Sequence, residues 1–319
     1  MSDRPALQAA RDGTIVAPLP HNAVLAVSGD DATSFLHGQL TNDVQGLAIG
    51  AAQWNGWCSP KGRLLAFFLL ARQPDRYLLM LPCEISAAIA KRLRMYVLRS
   101  KVKIDEATGL EATGLAGRDA ASLVAASFGE APAPMRAIDK DAAACIALGG
   151  ERFVLIAPAE PSARARQSWA ARAMLAGPAE WDWTSIRAGI PSVVAKTQEE
   201  FVPQMANLDV VGGLSFRKGC YPGQEIVART QYRGILKKRM ARAHVEGAEP
   251  QPGDPVYTPA FGDQAAGTIV SSAPAPEGGH EVLVVAQLEG IASGDLALGS
   301  PAGPKLRLLE LPYSIAPAA

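Results

Sequence analysis

The chain has 319 residues, enough for two or three domains that each hold a core of their own. Hydrophobic residues make up 48% and charged residues 19%, and no apolar run approaches the ~20 residues of a membrane span, so no membrane partner is expected. Lysine plus arginine and aspartate plus glutamate stand at 31 each, which excludes the whole-domain basicity of a dedicated nucleic-acid binder.

Residues 1–21 read as an N-terminal extension. Asp3 and Asp12 alternate there with Arg4 and Arg11, and the apolar stretch of a secretory signal is missing. Cys58, Cys83, Cys145 and Cys220 are scattered without a Cys-x-x-Cys pair, which argues against a disulfide framework or zinc site and for the cytoplasm. Asp30 and Asp31 offer an N-cap to a helix whose apolar face is Phe35, Leu36 and Leu40. His37 on that helix has no partner at metal spacing and reads as a surface or satisfied core residue.

An internal repeat follows. Arg76-Tyr77-Leu78-Leu79-Met80-Leu81-Pro82 matches Arg152-Phe153-Val154-Leu155-Ile156-Ala157-Pro158, and the register continues with Glu84 and Ser86 against Glu160 and Ser162. Each copy reads as a strand hairpinned to the one before it (Leu64–Ala71, Ala144–Leu148) and followed by a helix. The first helix carries Ile85, Ile89, Leu93, Tyr96 and Val97, and the second spans Ser162 to Leu175 with Trp169. The pattern predicts two duplicated α+β regions, about 22–110 and 111–239. Beyond Arg239 short apolar runs alternate with Gly/Pro turns: Ala241–Val245, Pro255–Tyr257, Gly267–Ser271, Glu281–Gln287 and Lys305–Leu311. Residues 240–319 therefore read as a small antiparallel β-barrel or sandwich.

Positive charge gathers in two segments of this balanced chain. Residues 91–103 hold six Lys/Arg and no acid, and residues 217–242 hold eight against Glu225 alone, so each reads as an anion contact or a solvated face. Within the second lies Arg217-Lys218-Gly219-Cys220-Tyr221-Pro222-Gly223-Gln224-Glu225, a thiol beside a lysine just before a turn and a helix start. Both neighbours favour thiolate, and the two glycines allow close backbone approach. Cys220 could be a redox-sensitive thiol, a transient iron or cluster ligand, or a nucleophile. A lone cysteine does not complete an iron–sulfur site, so any iron would be shared with a partner.

The stretch Lys218-Gly219-Cys220-Tyr221-x-Gly223-Gln224-Glu225 resembles the signature of the YgfZ family, relatives of the folate-dependent T-protein of glycine cleavage. Phe35 to Val44 resembles the family's opening motif and Ser59-Pro60-Lys61-Gly62-Arg63 its second. Phe201-Val202-Pro203-Gln204 with Asn207-Leu208 leads into the signature as in YgfZ proteins. The resemblance spans about residues 22 to 313. It implies a three-part ring of two α+β regions and a C-terminal β-barrel around a folate pocket. It also implies tetrahydrofolate or a derivative as ligand, iron–sulfur enzymes or assembly factors as partners, and a link to tRNA modification, with tRNA itself a further candidate partner.

The departures bear on mechanism. T-proteins carry a catalytic carboxylate soon after the second motif, whereas Leu64-Leu65-Ala66-Phe67-Phe68 holds no acid, so aminomethyl transfer is not expected. Arg187 stands where T-proteins place a pterin-binding glutamate, and arginine accepts no hydrogen bond. Trp181 matches a tryptophan placed to touch folate, by stacking on it or by packing as core. Lys218 would attract the glutamate tail, lower the thiol pKa of Cys220, or both. Tyr221 and Arg229, the latter sharing a helix face with Arg233, complete the expected folate contacts.

Overall fold

The computed structural model describes residues 4–232 and 236–315; Arg233 lies outside them. Two sheets are built alike. The first runs, in spatial order, Ala52–Cys58, Leu64–Arg72, Arg76–Pro82, Asn22–Ser28 and Lys103–Glu106, every pair antiparallel. The second runs Ala137–Lys140, Ala143–Gly149, Arg152–Pro158, Leu110–Gly117 and Thr14–Pro18, again antiparallel, with Met174–Leu175 added in parallel. The two repeat strands occupy the same third place, so the duplication expected from the sequence is present in the topology. The fifth place differs: in the second sheet it is filled from the N-terminal segment by Thr14–Pro18.

Alternation along one strand shows how the layers form. Along Leu64–Arg72, Phe67, Leu69 and Ala71 enter the core between the sheets, while Ala66, Phe68 and Leu70 enter the core beneath the helices Ala32–Gln39 and Cys83–Arg94. A strand covered on both faces must be apolar, and this one is from Leu64 to Ala71, with Arg72 at its less buried end. The helices Ala120–Phe128 and Ala159–Trp169 cover the second sheet in the same way, over Val16, Leu115 and Phe153. Trp169 and Trp57 are among the largest fully buried side chains.

The third part is a closed six-stranded antiparallel barrel of Lys238–Val245, Pro255–Tyr257, Gly267–Pro274, His280–Gln287, Leu296–Leu298 and Lys305–Leu309. Closing the sheet removes its edges. Its wall supplies Met240, Val270, Leu283 and Val285 to the core that the two sheets share. The helix Pro178–Arg187 bridges the second sheet to the barrel strand Gly267–Pro274 and buries Trp181, Trp183, Thr184 and Ile186. Glu180 is buried because its Oε2 accepts from the Gly177 amide at 2.8 Å, capping the helix.

Several expectations are corrected. Asp31 occupies the N-cap but makes no side-chain cap; its carboxylate accepts from the Lys101 amide at 2.7 Å instead. The repeat helices end at Arg94 and Trp169, short of Val97 and Leu175, and Leu175 is an exposed strand residue. The barrel holds one strand, Leu296–Leu298, and one short helix, Leu288–Ser293, that the pattern did not reveal, both too short for periodicity to register.

One glycine governs the contact between sheet and helix. A Cβ at Gly114 would lie 2.3 Å from Trp181 Cε3, closer than any carbon tolerates. Gly114→Ala is expected to lower stability by about 1–3 kcal/mol, read as a reduced urea midpoint at constant slope.

Candidate functional site

The sequence motifs gather around the helix Ala32–Gln39 and one end of the first sheet. Thr41 Oγ1 donates to the Gly213 carbonyl at 2.6 Å and accepts from the Gly56 amide at 2.8 Å. Asn42 Nδ2 donates to the carbonyls of Gly212 and Trp54 at 2.7 and 3.0 Å. Gln204 and Asn207 perform the same service further along, donating to the carbonyls of Val227 and Met240 at 2.8 and 2.9 Å. These polar residues of irregular segments pair with backbone of the strands Ala52–Cys58 and Lys238–Val245, the helix Gln224–Tyr232 and the Gly212-Gly213 turn. Gly62 and Gly223, both at positive φ, let the second motif and the signature touch: a Cβ at Gly223 would fall 2.4 Å from the Ser59 carbonyl oxygen.

Lys218 is buried. Its ammonium donates to the carbonyls of His37 and Leu40, the latter at 2.6 Å, where the helix Ala32–Gln39 ends with unpaired acceptors. It also sits 4.9 Å from the centroid of the Tyr221 ring, which is itself buried. His37 Nδ1 lies 3.2 Å from Asp43 Oδ1, and the signature backbone passes beside its other ring nitrogen at Gly219. Burial, and next the charge of Lys218, hold the His37 pKa below its ordinary value against the pull of Asp43. Cys220, the next residue after Gly219, is exposed. Cys58 and Cys145 are buried, and burial pushes their thiols up, Cys145 to about 12.

The basic segment containing this loop is not one face. Arg239 makes a two-pronged pair with Asp209 at 2.7 and 2.8 Å, and Arg242 pairs with Glu281 at 2.6 Å. Arg217 and Arg229 are exposed. Arg229 lies on the helix Gln224–Tyr232, which starts directly after the Pro222-Gly223 turn as the sequence predicts.

A separate cleft of about 440 Å³ opens where the two sheets, the helix Pro178–Arg187 and the barrel meet. Its apolar walls include Trp54 and Phe67, stacked with centroids 5.2 Å apart, and Leu148, Ile186, Ile190 and Val270. Its polar lining includes Arg152, His21, Asp182 and Ser272. His21 Nε2 pairs with Asp182 Oδ1 at 3.2 Å, while His21 Nδ1 and Ser272 Oγ are buried without a partner. Arg152 is 6% exposed and stands 4.8 Å over the Trp181 ring, donating to Thr184 Oγ1 at 3.1 Å and Ser185 Oγ at 2.6 Å.

The expected folate contacts divide between these places. Trp181 lines the cleft but is 4% exposed, packed on Gly114 and under Arg152, so its ring is committed to the protein. Trp54 offers ring surface instead, and as a strand tryptophan it carries no motif that marks it in the sequence. Cys220, Lys218, Tyr221, Arg229 and Arg187 are not among the residues lining the cleft. Arg187 is exposed at the helix end, 4.9 Å over Trp183. Arg152 was visible as the first letter of the second repeat copy, but nothing in the sequence marked it as buried. Asp182 is an acid facing the cleft, from a helix rather than from the second motif.

Against known proteins, no family model matches the chain. The tRNA-modifying protein YgfZ of Edwardsiella ictaluri is 31% identical over 294 residues, covering 90% of this chain and 89% of that one. The chain belongs to the YgfZ family. A second YgfZ, from Photobacterium profundum, is 32% identical over 298 residues, covering 92% and 89%. Among solved structures, the glycine cleavage system aminomethyltransferase T from Bartonella henselae superposes with a TM-score of 0.78 at 17% identity. That superposition covers 97% of this chain and 88% of the other, so this YgfZ protein has the T-protein fold. Among the described residues no helix is long and apolar enough to cross a membrane.

The buried lysine yields a pH test. Burial lowers the Lys218 pKa from 10.5 to about 8, against the pull of Asp43 and Cys220. Between those values the unfolded chain holds more protons, so through this group stability rises with pH. A neutral amine still donates to both carbonyls. Urea denaturation from pH 7.5 to 10 should show the wild type gaining stability relative to Lys218→Met; parallel profiles would contradict the shift.

Proposed function

We propose that this protein binds tetrahydrofolate or a derivative in the cleft and acts in the cytoplasm as an accessory to iron–sulfur enzymes of tRNA modification. The observation that carries the ligand half is the cleft itself. Its flat aromatic wall at Trp54 and Phe67 suits a heteroaromatic ring, and the unpartnered His21 Nδ1 and Ser272 Oγ suit a ring edged with donors and acceptors. Trp54 and Phe67 would hold the ring while Arg152, His21 and Ser272 orient it. The pterin glutamate of T-proteins is absent, and the His21–Asp182 pair offers the acceptors in its place. The YgfZ relatives' names support the tRNA half.

The accessory role rests on Cys220. An exposed thiol within electrostatic reach of the Lys218 ammonium is open to exchange with a partner's cysteine or metal, whereas a buried one is not. Its place outside the cleft lining separates thiol chemistry from ligand binding and favours a binding protein over an autonomous transferase.

Titrating tetrahydrofolate while following tryptophan emission should give saturable quenching, and Trp54→Ala should weaken it about two- to tenfold. A wild type that shows no saturable response removes the folate half. In cells lacking the native protein, Cys220→Ala should fail to restore iron–sulfur-dependent tRNA thiolation; full rescue would show that the thiol is dispensable.

A further inference from the structure

Arg152 is a buried cation without a matching anion. Its guanidinium is held by two neutral hydroxyls and a tryptophan face, and among the described residues no carboxylate pairs with it. The acid that acts on it from a distance, Asp182, is turned to His21. Taking an ion out of water costs several kcal/mol unless a counter-charge or a full set of hydrogen bonds replaces the solvent. Two hydroxyls occupy only Nε and Nη2 of the five-donor fork, which leaves donors of the guanidinium for the cleft it lines. Burial lowers the pKa of Arg152 to about 10, so it remains charged at neutral pH.

The equivalent position of the first repeat copy shows what such an arginine does where no ligand is involved. Arg76 donates to Gln73 of its own hairpin at 2.8 Å and lies only part-buried. Arg152 instead turns inward to the cleft. Its mount is rigid: Thr184 and Ser185 sit on the same helix as Trp181, and Thr184 Oγ1 is itself fixed by donating to the Trp181 carbonyl at 2.8 Å. A planar fork locked over an indole is built for directional pairing with a carboxylate rather than for diffuse attraction.

From this geometry we infer that Arg152 is the anion-recognising residue of the cleft, and that the ligand is a flat molecule bearing a carboxylate which pairs with the free donors of Arg152. The inference deepens the cleft reading above and takes from it only the ligand's identity; for a folate the group of this class is a glutamyl carboxylate.

Isothermal titration tests it with four probes. Tetrahydrofolate and 4-aminobenzoylglutamate carry the glutamyl carboxylates; 6-methyltetrahydropterin and 4-aminobenzamide do not. On the wild type 4-aminobenzoylglutamate should bind at least about tenfold more tightly than the amide. Equal affinities, or binding by neither, overturn the inference without any mutation. In Arg152→Met, checked for folding by its urea transition, the carboxylate probes should lose about 30-fold or more while 6-methyltetrahydropterin changes less than threefold. Arg152→Lys, which keeps the charge but not the fork, should fall between them. Equal losses for charged and neutral probes would reduce Arg152 to a structural residue and overturn the inference, as would no loss at all. Should tetrahydrofolate fail to bind while 4-aminobenzoylglutamate is still preferred over 4-aminobenzamide, the folate reading falls and the anion site stands.

Discussion

The packing of Trp181 on Gly114 and under Arg152 ties the molecule together. It fastens the helix Pro178–Arg187 to the second sheet, and that helix in turn carries the barrel through the strand Gly267–Pro274. The cleft opens where the two sheets and the barrel meet around this helix. An open hollow lined by aliphatic and aromatic side chains is a poor place for charge, yet it holds Arg152 and the His21–Asp182 pair. Polar groups in such a position are a cost to folding unless something other than folding uses them.

The signature loop obeys a different economy. Lys218 spends its donors on the end of the helix Ala32–Gln39, and the glycines at 62 and 223 spend their freedom on bringing two backbones together. Most of what makes that stretch recognisable is thus structural joinery, and Cys220 is the member left facing outward. The two places share the first sheet, which contributes Trp54 and Phe67 to the cleft and the Ser59–Arg63 turn to the signature.

The architecture was legible because it is written in periodic burial. Beyond their first residue, an arginine, the repeat strands are apolar on both faces and fall in equivalent places of two sheets, and the turns of the barrel are spelled in glycine and proline. The signature helix was legible from Pro222-Gly223 before it. What stayed hidden depends on contacts between residues far apart in the chain. Nothing near Lys218 says that its charge ends on carbonyls of residues 37 and 40, and nothing near Arg239 announces Asp209 thirty positions earlier. Trp181 and Trp54 illustrate the same limit: composition treats them alike, and only packing decides which ring is spent on the fold.

The strand Thr14–Pro18 links chain order to folding order. It leaves the ribosome long before its neighbour: the hydrogen bond from Asp119 to Thr14 spans 105 residues. The first unit, with its strands drawn from residues 22–106, can close during that interval, while the earliest-made strand waits unpaired for Leu110–Gly117. Until Leu110–Gly117 is made, a strand carrying Ile15, Val16 and Ala17 has no antiparallel partner in its sheet, which is the kind of unpaired apolar strand that invites mispairing.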